Sequence, residues 1–289
     1  MTYDAFLETA WSDHADRPEE VADRLAASLS FVSSPEHIPS FAHLVTHVFG
    51  EHLGQWHRGI DVLESVRSLP AFDGGAAVAG ALNRSIAALR YAGGESTALE
   101  SLSPEDCACA LATAASAFTG HNEFKRALAA YSEATQLANA GLPSQSPAIR
   151  ALAVGGNNLA AALETKKDRD ASETEGMVAA AESGLQYWKQ AGTWFEVQRA
   201  EYRVARSRLQ AGEPRAAILS AERCIEGCEL NNAPAFEQFF GFAVLALAQR
   251  AAGDANSFEA SRDRAVLLYG QVPQEERKWC ESEFKEIGG

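Results

Sequence analysis

The chain has 289 residues, of which 46% are hydrophobic and 22% charged, and its formal net charge is −14 at pH 7. A protein of that charge repels a phosphate backbone, so we expect no nucleic-acid partner. No run of 18 apolar residues is present, and the acidic start MTYDAFLETAWSDHADRPEE lacks the apolar core of a signal peptide. We therefore expect neither a membrane span nor a membrane partner.

The whole chain is predicted to be helical, because alanine is abundant and no long segment alternates apolar and polar residues. Helix starts are marked by prolines in a first turn, at Pro18, Pro35, Pro104, Pro147 and Pro273. Glycines mark the ends, at Gly54, Gly94, Gly120, Gly141, Gly192, Gly212 and Gly253. About fourteen helices joined by short loops result. The polar segment 166–176, KKDRDASETEG, is predicted to be a mobile loop inside a helical pair.

The stretch HLVTHVFGEHLGQWH, residues 43–57, contains four of the seven histidines. His43, His47 and Glu51 are spaced four apart, so on an α-helix they share one face, with His52 or His57 nearby. Imidazoles at that spacing can bind zinc or nickel. The well-known helical zinc motif, however, has glutamate directly after its first histidine, whereas leucine and valine follow these two. We therefore expect packing roles here, with no metal and no cofactor.

The cysteines do not form a metal-site pattern either. A four-cysteine zinc site needs two tight pairs at turn spacing, whereas Cys224 and Cys228 are four apart, and Cys107 and Cys109 would point to different sides of a helix. We expect them to be small buried residues in a cytoplasmic protein. The sequence also lacks a glycine-rich phosphate loop and a GxSxG turn, so we expect a protein that is not an enzyme.

Residues 111–134, LATAASAFTGHNEFKRALAAYSEA, have the clearest repeat pattern. Small and aromatic residues alternate on two successive helices, at Ala115, Phe118, Phe124, Ala127, Tyr131 and Ala134. These spacings resemble the tetratricopeptide repeat, in which small residues let two antiparallel helices approach and aromatic rings fill the space between them. Less complete matches follow the same template at residues 54–70, 86–94, 152–188, 204–224 and 246–265.

The resemblance covers roughly residues 39–270. It implies an all-α protein, a right-handed α-solenoid of antiparallel helix pairs, with capping helices over 1–38 and 271–289. The unit at 86–94 matches the repeat spacing in its first helix, and the second helix of that unit is predicted to be short. The irregular period places the chain nearer to the degenerate repeats of bacterial sensor proteins than to regular consensus arrays.

The resemblance also implies a ligand-binding concave face, formed by the second, fifth, sixth, ninth and twelfth positions of each first helix. In the unit at 204–224 these positions are Arg199, Tyr202, Arg203, Arg206 and Leu209. Earlier units contribute Arg84, Tyr91, Arg150 and Asn157. Some family members clamp a terminal carboxylate with basic residues and asparagine at such positions. The strict clamp is incomplete here, since Ala153 and Val154 stand where further polar residues belong.

The predicted function is a non-enzymatic scaffold or adaptor that binds a protein or peptide segment, acidic or carboxylate-bearing, in this arginine-lined groove. An alternative is that the arginines form a solvated face, paired with Glu196, Glu201 and neighbouring acids. Two other functions stay open: a ligand-responsive sensor, and a metal-binding protein using residues 43–57. A homodimer is a further alternative, formed through the apolar segments WFEV, FEQFF and WCESEF.

Overall fold

The computed structural model describes residues 2–288, and within that range it has fourteen α-helices and no strand. The first eight helices are α1 (Tyr3–Asp13), α2 (Pro18–Ala27), α3 (His37–Val45), α4 (Trp56–Val66), α5 (Ala76–Ala92), α6 (Pro104–Gly120), α7 (Phe124–Asn139) and α8 (Pro147–Thr165). The others are α9 (Ala171–Ala191), α10 (Trp194–Gln210), α11 (Pro214–Leu230), α12 (Ala235–Ala251), α13 (Ala255–Gln271) and α14 (Glu281–Glu286). The predicted all-helical class is thereby confirmed.

Two features interrupt the α-helical pattern. A π-helix (Thr46–His52) directly continues α3, and short 3₁₀ turns occur at Leu29–Phe31 and Arg277–Trp279. None of the helices described for residues 2–288 is both long and apolar enough to cross a membrane.

The chain divides into two compact units, residues 1–155 and 156–289, with the division inside α8. This differs in kind from the predicted division into capping helices and repeats, which stays a prediction. In the first unit α6 and α7 pack along their length. The small and aromatic residues of segment 111–134 that carried the repeat pattern are all buried there. The sequence pattern therefore identified a real helix–helix interface.

In the second unit α10 packs with α11, and α12 with α13. The small residues Ala205, Ala217 and Cys224 are fully buried in the first pair, and Ala246 and Ala265 in the second. Small side chains allow backbones to approach closely, and dense packing there stabilises each pair. These pairs lie where the repeat template placed them.

Two local predictions were wrong. Residues 171–176 are helical, because α9 begins at a capping box in which Asp170 accepts from the Glu173 amide at 2.8 Å. The Glu173 carboxylate in turn accepts from the Asp170 amide at 3.1 Å. The predicted short second helix after α5 is absent, since residues 95–103 form turns that lead into α6. The polar residues of segment 166–176 include the capping box of α9, and their polarity led to the prediction of a loop.

Candidate functional site

The predicted ligand-binding face lies mainly on α10. This helix begins at a capping box, in which the Glu196 carboxylate accepts from the Thr193 amide at 2.8 Å. A capped N-terminus fixes where the helix begins and therefore which side of it each following side chain occupies. Residues three, four and seven apart then lie along one side of α10: Arg199, Tyr202, Arg203 and Arg206.

Arg199 is the most exposed member of this face, with 51% of its side chain accessible to solvent. Its Nε donates to Glu237 Oε2 at 2.9 Å, and its Nη2 donates to Oε1 of the same carboxylate. Glu237, on α12, is only 6% exposed and also accepts from Gln198 at 2.6 Å. The guanidinium lies 4.2 Å from the centre of the Phe195 ring. Arg199 is therefore half in solvent but already paired.

Arg203 is paired with a buried carboxylate of α8. Its Nη1 donates to Oε2 of Glu164, which is 7% exposed, and the Ser207 hydroxyl donates to Oε1 at 2.7 Å. Burial raises the pKa of Glu164, while the charge of Arg203 and these hydrogen bonds lower it. This pair is an internal structural contact more than an open binding group.

Tyr202 and Arg206 contact the C-terminal helix α14. The Tyr202 hydroxyl donates to Glu283 at 2.7 Å, and Arg206 donates to Glu286 through both terminal nitrogens, at 2.7 and 3.2 Å. Burial raises the pKa of Tyr202 well above its usual value. A short acidic helix of the chain itself thus lies on the predicted binding face.

The remaining predicted residues are distributed over both units. Arg84 pairs with Asp106 at 2.7 Å, and the Tyr91 ring lies 6.2 Å from that of Phe118. Arg150 is exposed, and Asn157 donates to the neighbouring Asn158 side chain at 3.1 Å. Arg84, Tyr91 and Arg150 belong to residues 1–155 and the other five to residues 156–289. The coherent part of the predicted face is therefore the α10 set.

The acids of the solvated-face alternative are not the main partners of the α10 arginines, although the charge of Glu196 does act on Arg199. Glu196 closes the helix cap, and the buried Glu201 pairs with Arg223 at 2.9 Å and Lys189 at 3.6 Å. The carboxylates that hold the α10 arginines are instead Glu164, Glu237 and Glu286. Each lies 38–80 positions away in sequence, so no local pattern could have indicated them.

The apolar segments proposed for self-association are only partly exposed. Phe239 is fully buried, and Phe236 and Phe240 pack against the same core. Trp194 is 37% exposed and Trp279 66% exposed. The segment FEQFF is therefore mostly core, whereas the two tryptophans leave apolar surface in solvent.

A second cluster of chemically active side chains lies in the first unit. One nitrogen from each of His14, His47 and His52 lies within 4.8 Å of the other two. His47 Nε2 and His52 Nε2 are 3.1 Å apart, and the Trp11 ring centre is 5.2 Å from that of His47. Burial lowers the pKa of His52, and the neighbouring imidazoles lower it further. All three rings are half-buried.

The π-helix explains why this cluster differs from the set predicted for one α-helical face. Residues five apart would lie about 140° from each other around an α-helix. In the π-helix Leu53 donates to the Val48 carbonyl at 3.1 Å, an i to i+5 bond that brings His47 and His52 to the same side. The His43 ring lies 5.5 Å from that of Trp11, although the residue as a whole is exposed. His57 is exposed as well. His14 follows α1, outside the predicted stretch, and nothing local in the sequence connects it to the cluster.

The cysteines are free, as far as the described residues show, and three of the five are fully buried. Burial raises the pKa of Cys109 and of Cys280 to about 11. The thiolate is the reactive form, so these side chains are poor nucleophiles in the folded chain. Cys224, Cys228 and Cys280 agree with the prediction of small buried residues, whereas Cys107 and Cys109 are only partly buried.

We expect Cys109 and Cys280 to react with iodoacetamide at pH 7.5 about 100-fold more slowly in the folded chain than in urea, because about 100-fold less thiolate is present. Peptide mass spectrometry after timed labelling measures both sites. Because the unfolded thiols lose protons first, stability should also fall as pH rises from 9 towards 11. Rapid labelling of either thiol in the folded chain would contradict this prediction.

Solved structures share this fold at low sequence identity. A kinesin light chain-like protein from Podosopora anserina, with nearly identical TPR-like repeats, matches with a TM-score of 0.52 and 13% identity, over 83% of this chain and 98% of its own. BtubC (BKLC) from P. vanneervenii matches with a TM-score of 0.51 and 17% identity, over 91% of each chain. No protein-family model and no curated protein sequence matches. The fold is therefore that of TPR-like helical repeats, as segment 111–134 predicted.

Proposed function

We propose that this chain is a non-enzymatic helical-repeat adaptor that binds an acidic, carboxylate-bearing segment of a partner protein at the α10 face. The α10 face is defined by Arg199, Tyr202, Arg203 and Arg206. Guanidinium groups bind carboxylates through two parallel hydrogen bonds, which gives both affinity and orientation. TPR-like folds commonly bind proteins, which supports this class of function. The free cysteines agree with a place in a bacterial-type reducing cytoplasm.

The observation that carries the proposal is the position of α14. Its Glu283 and Glu286 bind Tyr202 and Arg206, and Phe284 between them stacks on Tyr269 with ring centres 3.9 Å apart. Two carboxylates that flank an aromatic ring thus fit this face within the chain itself. A partner segment with the same chemistry would bind by displacing α14, and Arg199, on the same side of α10, is half exposed to solvent.

The test uses a fluorescent peptide of sequence ESEFKE, the α14 sequence, and measures its anisotropy with the full chain. The variant Glu283→Gln/Glu286→Gln keeps the shape of α14 but removes its two carboxylates. We expect this variant to bind the peptide more tightly than the parent chain. Affinity should also fall as salt rises from roughly 50 to 300 mM, because salt screens the charge attraction.

A matched pair of arginine variants locates the binding face. The variant Glu283→Gln/Glu286→Gln is called the opened variant. Adding Arg206→Gln to it should abolish peptide binding, whereas adding Arg215→Gln, at an exposed position on α11, should change binding little. Both changes remove one positive charge, although Arg206 is only 12% exposed and Arg215 is exposed, so circular dichroism must show that both variants keep their helices. Equal binding by the two variants, or no binding by the opened variant, would reject the α10 face.

The contact between α14 and the α10 face also supports the alternative that the protein is a ligand-responsive sensor. If a ligand displaces α14, it also changes the surroundings of Trp279, which lies two residues before that helix and is 66% exposed. A ligand-dependent change in tryptophan fluorescence, accompanied by dimer formation in light scattering, would favour a regulated sensor over a static adaptor. Binding without either change would favour the adaptor.

A further inference from the structure

We propose that His14, His47 and His52 form a zinc site that joins α1 to the π-helix. The three imidazoles come from two elements far apart in sequence, and the nitrogens nearest each other all lie within 4.8 Å. This reverses the expectation from the sequence, which considered residues 43–57 alone and an α-helical spacing. The inference is independent of the proposed binding face on α10.

The distances suit one small ion. Zinc binds histidine nitrogen at about 2.0–2.1 Å in tetrahedral geometry, so two nitrogens on one ion lie roughly 3.3 Å apart. His47 Nε2 and His52 Nε2 are 3.1 Å apart, close to that separation. Two unprotonated nitrogens repel each other at such a distance, so without an ion one of them must hold a proton. On zinc binding that proton would move to the other nitrogen of its ring, so that both neutral rings present a lone pair to the metal.

The outer hydrogen bonds already orient two of the three ligands. Glu51 Oε2 accepts from His47 Nδ1 at 2.9 Å, and the Trp11 carbonyl accepts from His14 Nδ1 at 2.5 Å. In each ring the proton is then on Nδ1, and the Nε2 lone pair points away from that partner. Metal-bound histidines usually donate their other nitrogen to a carboxylate or carbonyl in this way.

The π-helix is held in place by contacts that keep the ligands together. His121 Nε2 donates to the Gly50 carbonyl at 2.9 Å, so a fourth histidine supports the segment from outside the cluster. π-helical turns are rare and are found frequently at functional sites. Here that turn is what brings His47 and His52 to one side, so the uncommon backbone has a specific consequence for the cluster.

The ligand set favours zinc with one coordination position left for water. Three neutral imidazoles supply borderline nitrogen ligands, which suit zinc, copper and nickel more than magnesium or calcium. All three rings are half-buried, so solvent can reach the cluster and supply a fourth ligand. The negative net charge of the chain favours attraction of a divalent cation.

The experiment uses the tag-free full chain, treated with EDTA, and measures Zn²⁺ binding by competition with a chromophoric chelator. We expect one zinc per chain. His14→Ala and, separately, His52→Gln should abolish stoichiometric binding, whereas His57→Ala, at an exposed histidine of the same stretch, should retain it. Circular dichroism of each variant checks that the helices remain.

Two further measurements separate a metal site from a packing cluster. Glu51→Gln should weaken zinc binding about 10- to 100-fold without removing a ligand, because the carboxylate orients His47. Zinc should also slow hydrogen exchange in α1 of the parent chain, and not in His14→Ala. Absence of zinc binding by the parent chain, or equal binding by His14→Ala and His57→Ala, would overturn the proposal.

Discussion

Replacing Arg203 with leucine is expected to lower the free energy of unfolding by about 3–5 kcal/mol. Glu164 is only 7% exposed, and Arg203 is the cation that pairs with it. Without the guanidinium, the buried carboxylate keeps one hydrogen bond, from Ser207, and only the charge of Arg206, which is not hydrogen-bonded to it, for compensation. Urea denaturation followed by circular dichroism gives the change directly.

The double variant Glu164→Leu/Arg203→Leu should recover most of that loss. Removing both charges removes both desolvation costs, and apolar replacements of a buried pair are often neutral or stabilising. The two single variants and the double variant form a cycle that isolates the pair's coupling. Arg215→Leu is the matched control, since that arginine is exposed, and we expect a change within about 0.5 kcal/mol.

The loss caused by Arg203→Leu should also depend on pH. Burial already raises the pKa of Glu164, and without the guanidinium the pKa should rise further. When the folded state raises the pKa of a carboxyl group, ionisation of that group costs more in the folded chain than in the unfolded chain. The group therefore destabilises the fold increasingly as pH rises above 4.5, the pKa of the unfolded chain. We therefore expect a smaller loss at pH 5 than at pH 8. A loss that is equal at both values, or larger at pH 5, would show that Glu164 is not the group left unpaired.

Because Arg203 stabilises the fold, a test of the α10 face should not substitute that residue. Reversing the charges of Arg199 and Arg203 together would place negative charges beside Glu237 and Glu164, which are both buried. If that variant failed to bind the peptide, the cause would be unfolding of the chain and not loss of the binding face. Arg206 is the better choice, because its partner Glu286 is 39% exposed and can turn into water.

Local periodicity made the helices and their pairing predictable. Ala127 and Tyr131 repeat at helical spacing, and their burial follows from that pattern because a helix interface needs small residues beside large ones. The arginines of α10 were predictable for the same reason, since their spacing is local. Their partners were not, because Glu237 and Glu286 reach them through tertiary packing.

The histidine cluster shows a second limit of sequence reasoning. An α-helical template groups His43 with His47, whereas the π-helix groups His47 with His52. A π-turn is one residue wider than an α-turn, and no residue pattern in this stretch announces it. His14 then enters by packing of α1, which periodicity does not describe.

The position of the π-helix depends on a glycine at the end of α6, and Gly120→Ala tests that dependence. A Cβ at residue 120 would lie 2.9 Å from Cγ of Glu51 and 3.0 Å from its carbonyl carbon, closer still to the carbonyl oxygen. Backbone cannot turn aside as a flexible side chain does. We expect a loss of about 1–3 kcal/mol in the free energy of unfolding, as for other overpacked sites.

Gly270→Ala is the matched control, because it lies in the last turn of α13 and an added Cβ meets nothing within 4 Å. There alanine should stabilise the chain by up to about 1 kcal/mol, since it favours the helix more than glycine does. Urea denaturation of both variants compares the same chemical change at two sites. Because Glu51 orients His47, Gly120→Ala should also weaken zinc binding, whereas Gly270→Ala should leave it unchanged. If both substitutions stabilise the chain equally, α6 does not fix the π-helix, and the histidines must be held together by α1 and α3 instead.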